Sequence, residues 1–410
     1  MGASANILKR EAQETLTARQ RTIFFVVGDP SGDKHAAKVI EKLHQLDPEL
    51  HFAGIGGERM KEQGMEVMYN CNEFAAIGLD VFSNLKFYTD MIEHTLKEIE
   101  RRNPDLLLLV DCGGMNLRIL GRIRKMMPSL PIYYFISPQV WGSRPWRITK
   151  IKRNITKMLV IFPFEEELYK KHGVPVTFVG HPLTKNMPAS EDLPPRSEFC
   201  KVYGLKNENP IVAIFPGSRK QEVKDILPIS ISAMRWLLRK RPDLQFAIAQ
   251  ASDSLSPIIT ELIHKEHAQD LLGKNLFLCA KDQNYELLNI CDLVWAKSGT
   301  TTLEATFFGK PMLIYYRALW ASYLIFALFK IVKRVGWPNL LAGYDLVPEL
   351  IQLDCRAEQL VRYTEDLLDV PELRREVSQK LLSLKQQLGE RDYATEVAGE
   401  IQKALPAALV

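Results

Sequence analysis

What most constrains the fold of this chain is a series of short, nearly uninterrupted apolar runs, each followed by a longer stretch able to form a helix. Thr22–Val27, His51–Ile55, Leu106–Val110, Ile132–Ile136, Met158–Phe162 and Val176–Val179 make up one series. Ile211–Phe215, Leu244–Ala249, Leu276–Cys279, Leu293–Ala296 and Met312–Tyr316 make up a second. A strand that is apolar on both faces must be covered on both faces, which means a parallel sheet with helices on either side. The repeated order predicts an α/β chain of two Rossmann-like domains facing across a cleft. At 410 residues the chain exceeds one ordinary domain, which agrees with two. Gly180-His181-Pro182 and the Pro- and acid-rich Met187–Pro195 read as the linker. The expected divisions are a loose leader over 1–20, a first domain over 21–187, a second over 188–375, and terminal helices over 376–410.

Composition excludes several function classes. A net charge of +4 is too small to argue for nucleic acid, and no nucleic-acid module accompanies the basic residues. The six cysteines are scattered without a C-x-x-C pair, so neither a zinc site nor a disulfide framework is expected, and a reducing cytosol fits. His264 and His267 lie three apart on a charged segment with no third metal ligand nearby in sequence. The leader carries charges of both signs and no signal-type apolar core. Ala318–Phe329, the longest uncharged stretch near Leu313–Val332, has 12 residues. A membrane span needs roughly 20, so this segment reads as a buried helix or one lying on a membrane surface.

Function is expected around Asp292–Pro311, where an apolar run meets Ser298-Gly299-Thr300 and a helical segment follows. At such a junction unpaired amides and the positive end of a helix dipole face one point, suited to phosphate. Glu304, one turn in, suits a ribose diol. The rival reading makes Thr301 and Glu304 a plain capping box.

Four strings in fixed order carry a resemblance: G-D-P-S-G-D (28–33), G-I-G-G-E-R-M (54–60), P-G-S-R-K-Q-E-V (216–223), and S-G-T-T-T-L-E (298–304) with P-N-L-L-A-G (338–343). With Gly180-His181-Pro182 and Val347-Pro348-Glu349-Leu350 they resemble the lipid-A-disaccharide synthase family, glycosyltransferases of the GT-B fold, over about residues 22 to 390. The resemblance implies inverting transfer of a diacylated glucosamine from UDP to the 6-hydroxyl of a diacylated glucosamine 1-phosphate, leaving UDP and a β-1,6-linked disaccharide. It implies no metal or other cofactor, a place on the cytoplasmic face of the bacterial inner membrane, and terminal helices that pack back or exchange within a homodimer.

A departing diphosphate without a metal needs cations and helix N-termini. Arg219 follows an apolar strand in the turn Gly217-Ser218, where a cation at a helix start is misplaced unless an anion binds. The matching positions also put Ser298, Gly299, Thr300, Thr301, Glu304, Arg317 and Asn339 around UDP, with Asn339 on the diphosphate and Arg317 as a second cation. Glu349 reads either as part of that pocket or as a first-turn helix carboxylate after Pro348. Asp111 and Asp29, each ending an apolar strand, compete as base, with a helix cap as the alternative role. Asp33 is expected to brace its loop. His181 is either a substrate or hinge contact or a structural histidine.

Acylated substrates call for membrane access. Trp141–Arg153, with its aromatic and basic residues, and Ala318–Phe329, with basic flanks, fit an interfacial surface or, alternatively, core packing with a solvated edge. Departures from the family pattern fall in the first domain: Asp29 for glutamate, Gly78–Phe82, and Cys112–Met115 where a second aspartate is usual. UDP binding is therefore a firmer expectation than the acceptor. The alternatives are another GT-B UDP-sugar enzyme, an epimerase on the same fold, or a non-catalytic UDP-sugar binder.

Overall fold

The computed structural model describes residues 20–71, 85–143, 146–317 and 334–406, with the backbone alone at 85–88 and 142–143. Gly78–Phe82, Ala318–Phe329 and nearly all of the leader lie outside the described residues.

The chain divides into two units, one running up to Pro182 and resuming at Glu390, the other spanning Leu183–Gly389. These divisions fall away from the expected 187/188 and 375/376 for a packing reason. The Pro371–Gln387 helix belongs to the second unit, where Leu381 and Leu384 join the apolar core. Among the described residues after Gly389, the Tyr393–Ala404 helix returns to the first unit, burying Val397 and Ile401 there. Tyr393 stacks on Phe135 with ring centres 5.9 Å apart, Glu400 pairs with Lys157, and Arg391 donates to the Phe178 carbonyl at 2.8 Å.

The first unit is a parallel sheet of β1 (Thr22–Val27), β2 (His51–Gly56), β3 (Glu66–Asn70), β4 (Leu106–Val110), β5 (Ile132–Phe135), β6 (Lys157–Val160) and β7 (Val176–Phe178). Their order across the sheet is β3-β2-β1-β4-β5-β6-β7. Every residue of β4 is fully buried, as an apolar central strand covered by helices on both faces requires. The second unit repeats the plan with β8 (Ile211–Phe215), β9 (Gln245–Ala249), β10 (Leu276–Cys279), β11 (Leu293–Lys297), β12 (Met312–Tyr316) and β13 (Glu349–Ile351). Its order is β10-β9-β8-β11-β12-β13, again all parallel. Two edge strands, β3 and β13, add to the expected set.

Each sheet reverses its winding once, between β1 and β4 in the first and between β8 and β11 in the second. Helices leave such neighbouring strands toward opposite faces, and a crevice opens beyond their carboxyl ends. Asp29 and Asp111 lie at the first of these places, and the Gly217-Ser218 and Ser298–Glu304 stretches at the second. No helix among the described residues is long and apolar enough to cross a membrane.

Candidate active site

In the second unit a cavity of about 290 Å³ lies beyond the ends of β8 and β11. Gly217, Ser218, Ser298, Gly299, Thr300, Thr301 and Glu304 line it, so the structure gathers seven expected residues from two distant stretches. The helix that follows β11 starts at Thr300, with Gly299 as its N-cap and no side chain satisfying its first amides. Thr301 is thus inside the helix, and the capping-box reading with Glu304 does not hold. Ser298 donates its hydroxyl to the Val335 carbonyl at 2.9 Å, which ties the turn down. Glu304 is mostly enclosed; burial pushes its carboxyl above the ordinary value, against one hydrogen bond from the Tyr285 hydroxyl at 3.4 Å.

Arg219 is the N-cap of the Lys220–Lys240 helix, and its side chain is 76 % exposed. Its guanidinium meets Glu222 at 3.1 Å. The same carboxylate accepts the Ser218 and Arg219 amides at 3.0 and 3.3 Å and pairs with Lys297 at 3.0 Å. Burial pushes the Glu222 carboxyl up, but the Lys297 contact and the amides outweigh it and bring the group below its ordinary value. Gly217 is required here: its φ is +116°, and a Cβ would sit 2.6 Å from the Glu222 carboxylate.

Three expected ligand contacts stand elsewhere. Asn339 is 1 % exposed, and its amide is consumed within the chain. It donates to the Val347 carbonyl and to Glu349, both at 2.8 Å, and accepts the Leu346 and Val347 amides at 2.8 and 2.9 Å. Glu349 is neither in a helix nor on the cavity wall: it opens β13 and accepts the Val335 and Gly336 amides at 2.8 and 2.9 Å. Together they fix the segment on which Ser298 is anchored. Arg317 is exposed and donates to the Cys355 carbonyl at 3.0 Å. Asn339→Ala strands buried amides, so it is expected to cost about 3 kcal/mol, read as a lower urea midpoint at unchanged slope. A midpoint within error of the parent would contradict this bracing role.

In the first unit Asp29 and Asp111 follow the adjacent strands β1 and β4. Asp29 caps its helix, accepting the Gly32 amide at 2.7 Å. Asp33 is likewise committed, to the amides of Gly57, Arg59 and Met60 at 2.8, 3.3 and 3.2 Å, and braces that loop as expected. Asp111 caps no helix, since the next one is capped by Cys112 without a side-chain bond. Asp111 and Cys112 are both left-handed, with φ of +46° and +40°, an outlier that chains retain where surrounding contacts enforce it. Here the Asp111 carbonyl accepts from the Asn116 amide at 2.9 Å and the Tyr134 hydroxyl at 2.5 Å. Burial, then the nearby charge of Asp29, push the Asp111 carboxyl up to about 6, against one bond from the Cys112 amide.

His181 is buried against the Phe162 ring, centres 4.8 Å apart. Burial and then His35 push its imidazole down to about 3, so it is neutral at physiological pH. Trp141 turns inward, its indole N–H donating to the buried Glu165 at 3.2 Å. Trp146 turns outward at 63 % exposure, beside a helix that buries Ile148 and Ile151 and exposes Lys150, Lys152 and Arg153. Two cavity residues, Lys297 and Glu222, carried no functional expectation. Lys297 follows the apolar run Leu293–Ala296 and falls outside the expected strand, and Glu222 lies within the P-G-S-R-K-Q-E-V string with no role of its own.

A family model described as lipid-A-disaccharide synthetase matches residues 23–404. A lipid-A-disaccharide synthase of Geobacter metallireducens is 33 % identical over 396 residues, covering 95 % of this chain and 98 % of its own. Lipid-A-disaccharide synthase 1 of Legionella pneumophila is 34 % identical over 368 residues, 89 % of this chain and 93 % of its own. Among solved structures, the UDP-GlcNAc 2-epimerase of Neisseria meningitidis bound to UDP-GlcNAc shares the fold, with a TM-score of 0.58 at 14 % identity over 93 % of this chain and 99 % of that one.

Proposed function

Because the chain belongs to the lipid-A-disaccharide synthetase family, we propose that it transfers 2,3-diacylglucosamine from UDP to the 6-hydroxyl of 2,3-diacylglucosamine 1-phosphate. The products are UDP and a β-1,6-linked lipid disaccharide 1-phosphate. The observation that carries this reading is the second unit's cavity at the β8/β11 reversal, walled by amides, a carboxylate one helical turn in, and the ammonium of Lys297.

UDP occupies that cavity. Glu304 receives the ribose hydroxyls, and the amides of Gly299, Thr300 and Thr301 receive the diphosphate with the helix dipole behind them. Arg219, exposed at the helix start beside the cavity, turns from Glu222 to the phosphates. Asn339, Glu349 and Ser298 hold the wall in place and do not touch the nucleotide. In the first unit Asp111 accepts the proton of the attacking hydroxyl. A carboxyl titrating near 6 is ionised at neutral pH yet more basic than a free one, which suits a general base. Asp29, a helix cap, contributes field and loop geometry. His181, neutral and buried, acts as a structural residue.

Acyl chains bring the substrates from a lipid surface, and Trp146 with Lys150, Lys152 and Arg153 forms the side that meets it, at the cytoplasmic face of the inner membrane. Mass analysis of products from both acylated substrates, with and without a chelator, tests the proposal. The expected product is the disaccharide 1-phosphate in both conditions. Free UDP without disaccharide would reject it in favour of a different UDP-sugar reaction.

A further inference from the structure

Two cations share the Glu222 carboxylate, and they differ in how they are held. Arg219 reaches it from solvent, with 76 % of its side chain exposed. Lys297 is 17 % exposed, ends β11 directly before the Ser298-Gly299-Thr300 turn, and lines the cavity. Its ammonium is 3.0 Å from Glu222 and 5.0 Å from the centre of the Tyr316 ring. Glu222 in turn is fixed by the Ser218 and Arg219 amides. The ammonium is therefore sheltered and oriented before any ligand arrives. A positive group held in that state stabilises developing negative charge without reorganising during the reaction. Arg219 must first lose its side-chain freedom to do the same.

From this geometry we infer that Lys297 is the cation that meets the departing diphosphate, its β-phosphate in particular, and that Glu222 and Tyr316 are its positioning groups. The inference rests on the reading of this cavity as the UDP site. When the bond between the sugar C1 and the β-phosphate oxygen breaks, the electron pair stays on that oxygen. Lys297 donates a hydrogen bond to it and keeps its proton. The new bond forms from the acceptor oxygen to C1, and the hydroxyl proton goes to Asp111. Glu222 neutralises the lysine while the cavity is empty and shares it when phosphate enters.

Calorimetric titration of UDP, UMP and uridine into the full chain and into Lys297→Met and Lys297→Arg separates the possibilities. Lys297→Met is expected to weaken UDP about ten- to a hundredfold, to narrow its advantage over UMP, and to leave uridine unchanged. Lys297→Arg is expected to recover most of the UDP advantage. Uridine binding also reports that the variant cavity is folded. An unchanged UDP preference in Lys297→Met overturns the inference. So does equal weakening of all three ligands, the sign of a merely structural lysine. If the parent protein binds none of the three, the UDP reading of the cavity fails first, and this inference falls with it.

Discussion

Asp111→Asn is expected to lower turnover about a thousandfold, the usual scale for loss of a general base, while making the folded protein more stable. Asparagine has the same shape and tolerates the left-handed backbone at this position, so the loop should survive. The stability effect follows from the carboxyl's shift from 3.8 to about 6. A folded state that raises an acid's pKa holds the proton more tightly than the unfolded chain does, so the ionised form is the one that costs stability. That cost is absent below about pH 4, grows between pH 4 and 6, and is constant above. Asparagine never ionises, so the variant should gain about 3 kcal/mol over the parent at pH 7 and well under about 1 kcal/mol at pH 4. Thermal unfolding of both proteins at the two pH values measures this. In the parent, kcat/KM should fall as pH drops through about 6. A variant that keeps its activity, or that loses stability at pH 7, would remove Asp111 from the mechanism.

Gly299→Val is expected to abolish UDP binding with little effect on the fold. The backbone there is extended, φ 161°, which any residue adopts, and among the described residues other than its chain neighbours no atom lies within 4 Å of the place where a Cβ would stand. Neither strain nor a clash therefore explains the glycine, and the free space adjoins the uncapped amides of Thr300 and Thr301. A branched side chain in that space blocks the approach of phosphate to at least two charge-assisted hydrogen bonds, a loss of about a hundredfold or more in affinity. Valine as an N-cap costs about 1 kcal/mol, too little to unfold the unit. Titration of UDP, paired with a urea melt, checks both halves. Tight UDP binding by Gly299→Val would show that the phosphates lie elsewhere.

The alternation of apolar runs and helical stretches made both sheets legible, because a central parallel strand has to be apolar throughout. The strands it missed are edges: Glu66–Asn70 is bounded by polar residues and has no fully buried residue, and Glu349–Ile351 has three residues behind a proline. Ser298–Glu304 was legible because turn, amides and acid are all local in sequence. Asn339 and Glu349 were drawn to the ligand by proximity in a motif. Their true partners, Val335, Gly336, Leu346 and Val347, follow from how the backbone folds around them, which composition does not encode. Lys297 was hidden for the converse reason. Its neighbour Tyr316 ends β12 and Glu222 sits in the first turn of the helix after β8, and the parallel register of β8, β11 and β12 brings them to it. Asp111 was legible as a strand-end acid. Its left-handed backbone was not, since the bonds that enforce it come from Asn116 and Tyr134.

A crystal structure of the protein soaked with UDP tests the central claim most directly. The account predicts ribose hydroxyls on Glu304 and diphosphate oxygens on the amides of Gly299, Thr300 and Thr301. UDP seated at the Asp29 and Asp111 loops of the first unit, with the Ser298–Glu304 cavity left empty, would contradict it.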